Sequence, residues 1–157
     1  MGLSPAAHAG YRAPVTRDEG VVVAAADVEV VRRLYTAIND QDMSAAASCF
    51  APDARWTLPG RSPIAGTHVG WEQIYERFLA KLAPLSGGTF RVELLDVAVG
   101  ERYVVAVQHA TAALDGRTLD ITACQLVDIV DGRIARVRGH YSDQEALDSF
   151  WAAPEPH

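Results

Sequence analysis

The chain has 157 residues, of which 49% are hydrophobic and 22% charged, and its formal net charge is −6. This length suits one hydrophobic core rather than two, and the composition is typical of a folded protein. The negative charge disfavours nucleic acid as a partner, because such a surface repels phosphate backbones. No apolar run reaches the roughly 18 residues that a membrane helix needs, so we also expect no membrane partner.

The cysteines, the histidines and the N-terminus indicate which compartment and which cofactors to expect. Cys49 and Cys124 form no CxxC motif, and two cysteines in a chain of this length are typical of reduced thiols. The N-terminus lacks the early positive charge of a secretory signal, so we expect a cytoplasmic protein. The five histidines show no HxH or HxxxH spacing. The sequence therefore predicts no metal site, and we expect no cofactor.

Hydrophobic periodicity divides the chain into a helical first part and a strand-rich second part. The chain begins with a predicted flexible arm over 1–26, in which 21–26 could form an edge strand or dock on a partner. The helical part then comprises a helix from Asp27, a helix over 43–50, a strand over 54–58, a loop over 59–70 and a helix over 71–83 ended by Pro84. The second part comprises strands over 90–99, 103–114, 118–130 and 133–141, a final helix after Ser142 and a tail over 152–157. The domain thus spans residues 27–151. This order predicts an α+β fold in which long strands coil around the helices.

Several phrases of the sequence give a more specific expectation. They are VVRRLYTAIN at 30–39, CFAPDARW at 49–56, PGRSPIAG at 59–66, VDGRI at 130–134 and DQEALDSFW at 143–151. Together they resemble the NTF2-like superfamily, which includes ketosteroid isomerases, limonene epoxide hydrolases and SnoaL-type polyketide cyclases. The last phrase resembles a SnoaL-like subgroup. The resemblance implies a cone, in which a curved antiparallel sheet wraps around three N-terminal helices and a short C-terminal helix follows.

The resemblance does not carry over the catalytic groups of ketosteroid isomerases. It places their general-base Asp at Leu58, their oxyanion-hole Tyr at Leu34 and their oxyanion-hole Asp at Gln125. None of the three side chains is retained, so steroid isomerisation is not expected. The Asp-Arg-Asp set of the epoxide hydrolases cannot be assembled either.

Strand parity predicts which side chains face the pocket. If Gly116 and Arg117 are the central turn residues, Gln108 lies directly opposite Gln125 and Ala110 opposite Ala123. The resemblance places Gln125 inside, and parity then places the other three inside as well. Small residues in this row leave room for a ligand. The two amides either satisfy each other and a buried water or bind a carbonyl or hydroxyl group of that ligand.

The candidate site residues follow from this arrangement. The predicted ligand contacts are Gln108, Trp56, Leu58, Tyr35, Phe78, Ala110, Ala123 and Val137. The predicted catalytic group comprises Gln125, His68, Tyr141 and Asp143. His68 is expected in a glycine-rich loop at the pocket mouth, where a histidine could act as a general base. Tyr141 faces inward if the last hairpin has a three-residue turn, whereas His140 does so if the turn has two residues; the apolar pattern favours Tyr141.

These residues point to a small-molecule ligand. We expect a cyclase-, isomerase- or lyase-type enzyme without cofactor, acting on an apolar polyketide-like or other carbonyl compound. A non-catalytic carrier of such a ligand is the alternative, and a structural dimer with a vestigial pocket is a third. The outer sheet face, with Val105, Val107 and Leu126, is too apolar for a monomer, which predicts a homodimer. The resemblance to dimeric relatives implies the same.

Overall fold

The computed structural model describes residues 17–152. Its elements are α1 (Arg17–Asp40), α2 (Met43–Ser48), β1 (Phe50–Leu58), β2 (Gly66–Val69), α3 (Gly70–Ile74), a π-helical turn (Tyr75–Leu79), α4 (Ala80–Ser86), β3 (Arg91–Val99), β4 (Val104–Leu114), β5 (Arg117–Val130), β6 (Arg133–Tyr141) and α5 (Gln144–Trp151). Residues 1–16 of the predicted arm and 153–157 of the predicted tail lie outside the described residues.

The six strands form one sheet in the order β2-β1-β6-β5-β4-β3. All neighbours are antiparallel except β1 and β6, which run parallel. The predicted α+β architecture is confirmed, but the sheet is mixed rather than purely antiparallel. No hairpin joins β1 to β6, and the long connection between them lets the last strand return in the same direction.

Helix α1 begins at Arg17 rather than at Asp27. Residues 17–26 of the predicted arm are therefore helical, and the edge strand considered for 21–26 is wrong. The three alanines at 24–26 are strong helix formers, and they carry the helix without a break into the amphipathic segment.

Pro84 does not end the third predicted helix. The helical segment runs on through α4 to Ser86, with Pro84 inside it. It ends at Gly87, whose φ of +61° is left-handed and suits glycine at a helix terminus. The first strand also differs, because β1 starts at Phe50. Its pairing with β6 is interrupted between Phe50 and Arg55, which keeps Pro52 out of the ladder.

The turn between β4 and β5 corrects the predicted register. Asp115 and Gly116, with φ of +54° and +78°, are the central turn residues, instead of Gly116 and Arg117. The register moves by two residues, so Gln108 pairs with Ala123, and the predicted direct pairing of Gln108 with Gln125 is wrong. A shift of two residues preserves the face of each side chain. Both amides therefore point inward as predicted.

The last hairpin has a two-residue turn, Asp131-Gly132, rather than the predicted three-residue turn. An extra residue in β6, Ala135, forms a bulge immediately after the turn. The bulge restores the parity that the longer turn would have given. Tyr141 consequently faces the interior as predicted, and His140 is exposed.

The core lies between the inner face of the sheet and the helices. Helix α1 packs on β3 and β4, α3 on β1, and α5 on β5. Trp151 of α5 is fully buried, with edge and tilted ring contacts to Phe150 and Phe90. Within residues 17–152, no helix has the length and apolar character needed to span a membrane.

Candidate functional site

An inner cavity lies where the helices cover the sheet. Its lining is almost entirely apolar and comes from Tyr35, Ile38, Trp56, Leu58, Ile64, Phe78, Leu79, Leu82, Phe90, Val92, Gln108, Ala110, Leu119, Gln125, Tyr141, Leu147 and Trp151. The centre of a water molecule can occupy about 40 Å³ of it. The cavity is thus a small chamber with a mainly apolar wall.

The polar groups of the chamber form one hydrogen-bonded chain. Tyr35 Oη donates to Gln108 Oε1. Gln125 Nε2 lies 3.5 Å from that same oxygen and 3.2 Å from Tyr141 Oη, to which it donates. Because Tyr141 Oη accepts a hydrogen bond here, its own O–H hydrogen remains available to a ligand.

Two polar atoms of the chamber's side chains have no partner. Gln125 Oε1 and Trp56 Nε1 are buried and form no hydrogen bond with the described residues. Gln125 is 2% exposed and Trp56 5% exposed, so bulk water does not solvate either group well. A buried polar group without a partner costs about 1–3 kcal/mol. One unsatisfied acceptor and one unsatisfied donor therefore belong to the wall of the same apolar chamber.

Burial holds both tyrosines in their protonated form. Desolvation raises the pKa of Tyr141 to about 12, although its hydrogen bond from Gln125 works in the opposite direction. Desolvation, reinforced by Tyr141, also raises the pKa of Tyr35. An apolar environment disfavours the phenolate in each case. Both side chains are therefore hydrogen-bond donors at neutral pH.

The raised pKa of Tyr141 predicts a loss of stability at high pH. The pKa of a tyrosine in the unfolded chain is 10.0, whereas the pKa of Tyr141 in the folded chain is about 12. Its contribution is fully present below pH 10 and is lost as the pH rises from about 10 to about 12. We expect Tyr141→Phe to show a shallower decline of the free energy of unfolding over this window, measured by urea denaturation at stepped pH. Tyr75→Phe, which removes an exposed hydroxyl, is the control; a Tyr141→Phe decline as steep as that of the wild type would contradict the prediction.

Gly139 makes room for this arrangement. A Cβ atom added to Gly139 would lie 2.7 Å from Tyr141 Cε2 and 3.0 Å from Gln125 Oε1. The Tyr141 ring lies against the bare backbone of β6, which brings its hydroxyl within reach of Gln125. This role of Gly139 was not predicted from the sequence.

Two of the predicted catalytic residues lie outside the chamber. His68 is not in a loop at the mouth but in β2, cross-strand from Trp56, and only 5% of it is exposed. Its Nε2 lies 2.9 Å from the carbonyl oxygen of Ile64, so Nε2 donates, and the ring stacks on Phe78. Asp143 is exposed and caps α5 by accepting from the backbone N–H of Ala146. Of the catalytic candidates, Gln125 and Tyr141 reach the chamber.

Most predicted ligand contacts do line the chamber. Those that do are Gln108, Trp56, Leu58, Tyr35, Phe78 and Ala110. Ala123 and Val137 face the interior and are buried, but neither is part of the wall. The wall also contains nine residues that were not predicted as contacts, among them Ile64 in the loop after β1 and Phe90, the first residue of the predicted strand 90–99. Among residues 17–152, no cluster of three or more His, Cys, Asp or Glu side chains could hold a metal ion.

Comparison with known proteins identifies the family of this chain. A model of the SnoaL-like domain matches residues 31–137. An uncharacterized protein of Mycobacterium tuberculosis is 35% identical over 128 residues, which are 81% of this chain and 97% of that protein. The solved structure of Bal32a, from a soil-derived mobile gene cassette, has 36% identity and a TM-score of 0.77 over 82% of this chain and 98% of its own. TerC, co-crystallized with polyporic acid, has 24% identity and a TM-score of 0.71 over 80% and 97% of the two chains, a likeness of fold alone.

Proposed function

Since the chain belongs to the SnoaL-like domain family and has the NTF2-like fold, we propose that it is a cofactor-free cyclase- or isomerase-type enzyme acting on a small apolar carbonyl compound. One observation carries the proposal. The apolar chamber contains the chain of Tyr35, Gln108, Gln125 and Tyr141, together with a buried acceptor and a buried donor that have no partner among the described residues. Polar ligand atoms would satisfy these groups. The crystallisation of TerC with polyporic acid supports the use of this fold for small molecules.

The polar pattern favours a particular class of carbonyl compound. The O–H of Tyr141 can donate to a ketone oxygen, and Gln125 Oε1 can accept from a hydroxyl. An enolised β-dicarbonyl, as in a polyketide-like chain, carries an acceptor and a donor of this kind on carbons that are two bonds apart along its skeleton. Its hydrocarbon portion would meet the apolar wall. We therefore propose β-dicarbonyl or β-hydroxycarbonyl compounds as the ligand class.

The chemistry assigned to the chamber is enolisation. Tyr141 donates to the carbonyl oxygen while a C–H bond on the adjacent carbon breaks and its proton leaves to water. The electron pair of the C–H bond becomes the C=C bond of the enolate, and the π pair of the C=O bond moves to the oxygen, where the Tyr141 hydrogen bond stabilises the developing negative charge. A single fixed donor of this kind is worth roughly 10²–10³ in rate. Gln125 holds Tyr141 in position from the opposite side.

A specific observation favours the non-catalytic alternative. No carboxylate, histidine, cysteine or lysine is among the described residues that line the chamber. With both tyrosines protonated, the wall offers no strong proton acceptor at neutral pH. A protein that only binds or carries the carbonyl compound would need none.

Deuterium exchange separates the enzyme from the carrier. Phenylacetone would be incubated in deuterated buffer with the protein, and loss of its methylene proton signal followed by NMR. If the protein is an enzyme, we expect it to accelerate deuterium exchange in a saturable manner, and this acceleration should fall about a hundredfold in Tyr141→Phe. Saturable binding of phenylacetone without any acceleration would establish the carrier, and absence of binding would refute both.

Gln125→Leu is expected to weaken binding without unfolding the protein. The change removes the unsatisfied Gln125 Oε1 and the amide that holds Tyr141, while keeping a side chain of similar size. Affinity for benzoylacetone, measured by calorimetry, should fall by roughly 1–3 kcal/mol, which is about 5- to 150-fold. Butyrophenone, which lacks the second carbonyl, is the matched probe and should lose less. Equal affinity of wild type and variant for benzoylacetone would show that Gln125 is only a core amide.

The homodimer stays a prediction. The outer face of the sheet carries the half-buried side chains of Val105, Val107 and Leu126. We propose that a second copy of this chain covers this face. Light scattering should then return about twice the chain mass of 16.9 kDa, and a value near the single mass at micromolar concentration would refute it.

A further inference from the structure

A second, larger pocket adjoins the inner chamber. This outer groove runs between the end of α1, α4 and the start of β3, and it gives about 210 Å³ to the centre of a water molecule. Four side chains belong to the walls of both spaces: Ile38, Leu79, Leu82 and Phe90. A single layer of apolar side chains therefore separates the groove from the chamber.

This layer rests on an irregular stretch of helix. Leu79 ends the π-helical turn Tyr75–Leu79, and Leu82 lies between that turn and Pro84. Pro84 has no N–H to donate to the carbonyl of Ala80, so the helix loses one of its hydrogen bonds here. Turns of the π type are frequent at functional sites. The wall shared by groove and chamber is thus carried by the least regular helical segment of the described fold.

The groove has a mixed wall, in which polar groups lie beside apolar side chains, and it includes a cationic residue. The side chain of Asn39 is occupied by the backbone of Val92, because it donates to the Val92 carbonyl at 2.6 Å and accepts from the Val92 N–H at 3.1 Å. Ser86 Oγ donates to Leu82 O at 2.6 Å. Arg91 is the charged side chain among the described lining residues; its Nη1 donates to Phe90 O at 2.7 Å, which leaves further guanidinium N–H groups for a ligand.

These observations deepen the proposed function, on which the following inference rests. We propose that the ligand is elongated, with its carbonyl head in the inner chamber, an alkyl tail in the outer groove and a carboxylate at Arg91. The chamber gives about 40 Å³ to the centre of a water molecule, whereas the groove gives about 210 Å³, so the chamber suits the head of such a ligand and the groove its tail. A longer molecule would pass the four shared side chains into the groove, which gives about five times the space of the chamber and presents a partner for an anion.

Three aryl ketones separate the contributions of head, tail and carboxylate. Acetophenone supplies the head alone, hexanophenone adds a neutral tail, and 5-benzoylpentanoate adds a tail that ends in a carboxylate. Calorimetry on the wild type should show at least about tenfold tighter binding for hexanophenone than for acetophenone, because two or more further methylenes are buried. The carboxylate should add about two- to fivefold, the range of an exposed ion pair.

Two variants test whether these gains in affinity come from Arg91 and from the groove. Arg91→Gln should remove the advantage of the carboxylate, whereas Lys81→Gln, an exposed lysine of α4 outside the groove wall, should not. Ala83→Phe fills the groove and should abolish the tail advantage while acetophenone binds as before. Thermal unfolding of each variant confirms that it is folded, and Ala80→Phe replaces Ala83→Phe if the latter is not.

Met43 gives a readout that needs no perturbing change in the groove. The chain contains two methionines, Met1 and Met43, and Met43 lines the groove. Protein labelled with ¹³C at the methionine methyl groups should give two signals, assigned with Met43→Leu. The Met43 signal should shift with hexanophenone and not with acetophenone.

The outcomes distinguish the two proposals. Binding of acetophenone without a tail advantage, or a tail advantage that survives Ala83→Phe with an unmoved Met43 signal, would overturn the groove proposal and leave the proposed function standing. Failure of all three ketones to bind would remove the proposed function and the inference with it.

Discussion

Gly60→Ala is expected to lower the free energy of unfolding by roughly 2–4 kcal/mol, combining backbone strain with the loss of a buried polar contact. Gly60 has a φ of +107°, and a Cβ atom there would lie 2.1 Å from Asp148 Oδ1 and 2.4 Å from Gln144 Nε2. Asp148 Oδ1 also accepts from the backbone N–H of Arg61 at 3.0 Å and from Gln144 at 3.2 Å. The added methyl would break this junction between the loop and α5. Urea denaturation measures the change.

Gly66→Ala is the matched control for that effect. Gly66 has a similarly left-handed φ of +121°, but nothing lies within 4 Å of its added Cβ atom. Gly66→Ala therefore introduces backbone strain but no steric clash, and we expect this variant to lose clearly less stability than Gly60→Ala. Equal losses in the two variants would show that strain alone is at work and that the contact with Asp148 contributes nothing.

Side-chain facing was predicted from the sequence more reliably than strand register. The placement of Gln108 and Gln125 inside depends on parity alone, and parity survives a register shift of two residues. Their direct pairing depends on which residues form the turn, and Asp115-Gly116 and Gly116-Arg117 are both plausible turn pairs by composition. Tyr141 shows the same principle, because the bulge at Ala135 offset the shorter turn.

The parts of the site that escaped prediction come from nonperiodic segments and tertiary contacts. Ile64 lies in a loop rich in turn formers, and no local pattern shows that the loop folds back over the chamber. His68 lies in the same segment, and its burial depends on pairing with β1, which no helix or hairpin signal in the sequence indicates. The π-helical turn Tyr75–Leu79 has no sequence signature of its own, yet it places Leu79 in both pockets.

Gly139→Ala is expected to weaken benzoylacetone binding at least about tenfold while costing about 1–3 kcal/mol of stability, the range for overpacking a core. The backbone of Gly139 does not have a left-handed φ, so alanine introduces no strain of that kind. The cost arises instead because the new Cβ atom would lie 2.7 Å from Tyr141 Cε2 and 3.0 Å from Gln125 Oε1. Both side chains must move, and the 3.2 Å hydrogen bond between them is lost. Calorimetry and urea denaturation measure the two effects separately.

A double-mutant cycle with Tyr141→Phe tests whether Gly139 acts through the tyrosine. Phenylalanine keeps the ring that meets the new methyl but lacks the hydroxyl that would contact the ligand. If Gly139 positions Tyr141, Gly139→Ala should still reduce stability in the Tyr141→Phe background, yet it should cause little further loss of binding. Additive binding losses would show that Gly139 affects the ligand by another route. The split between stability and affinity thus distinguishes a positioning residue from one that merely fills the core, since a purely structural role would lower both quantities in either background.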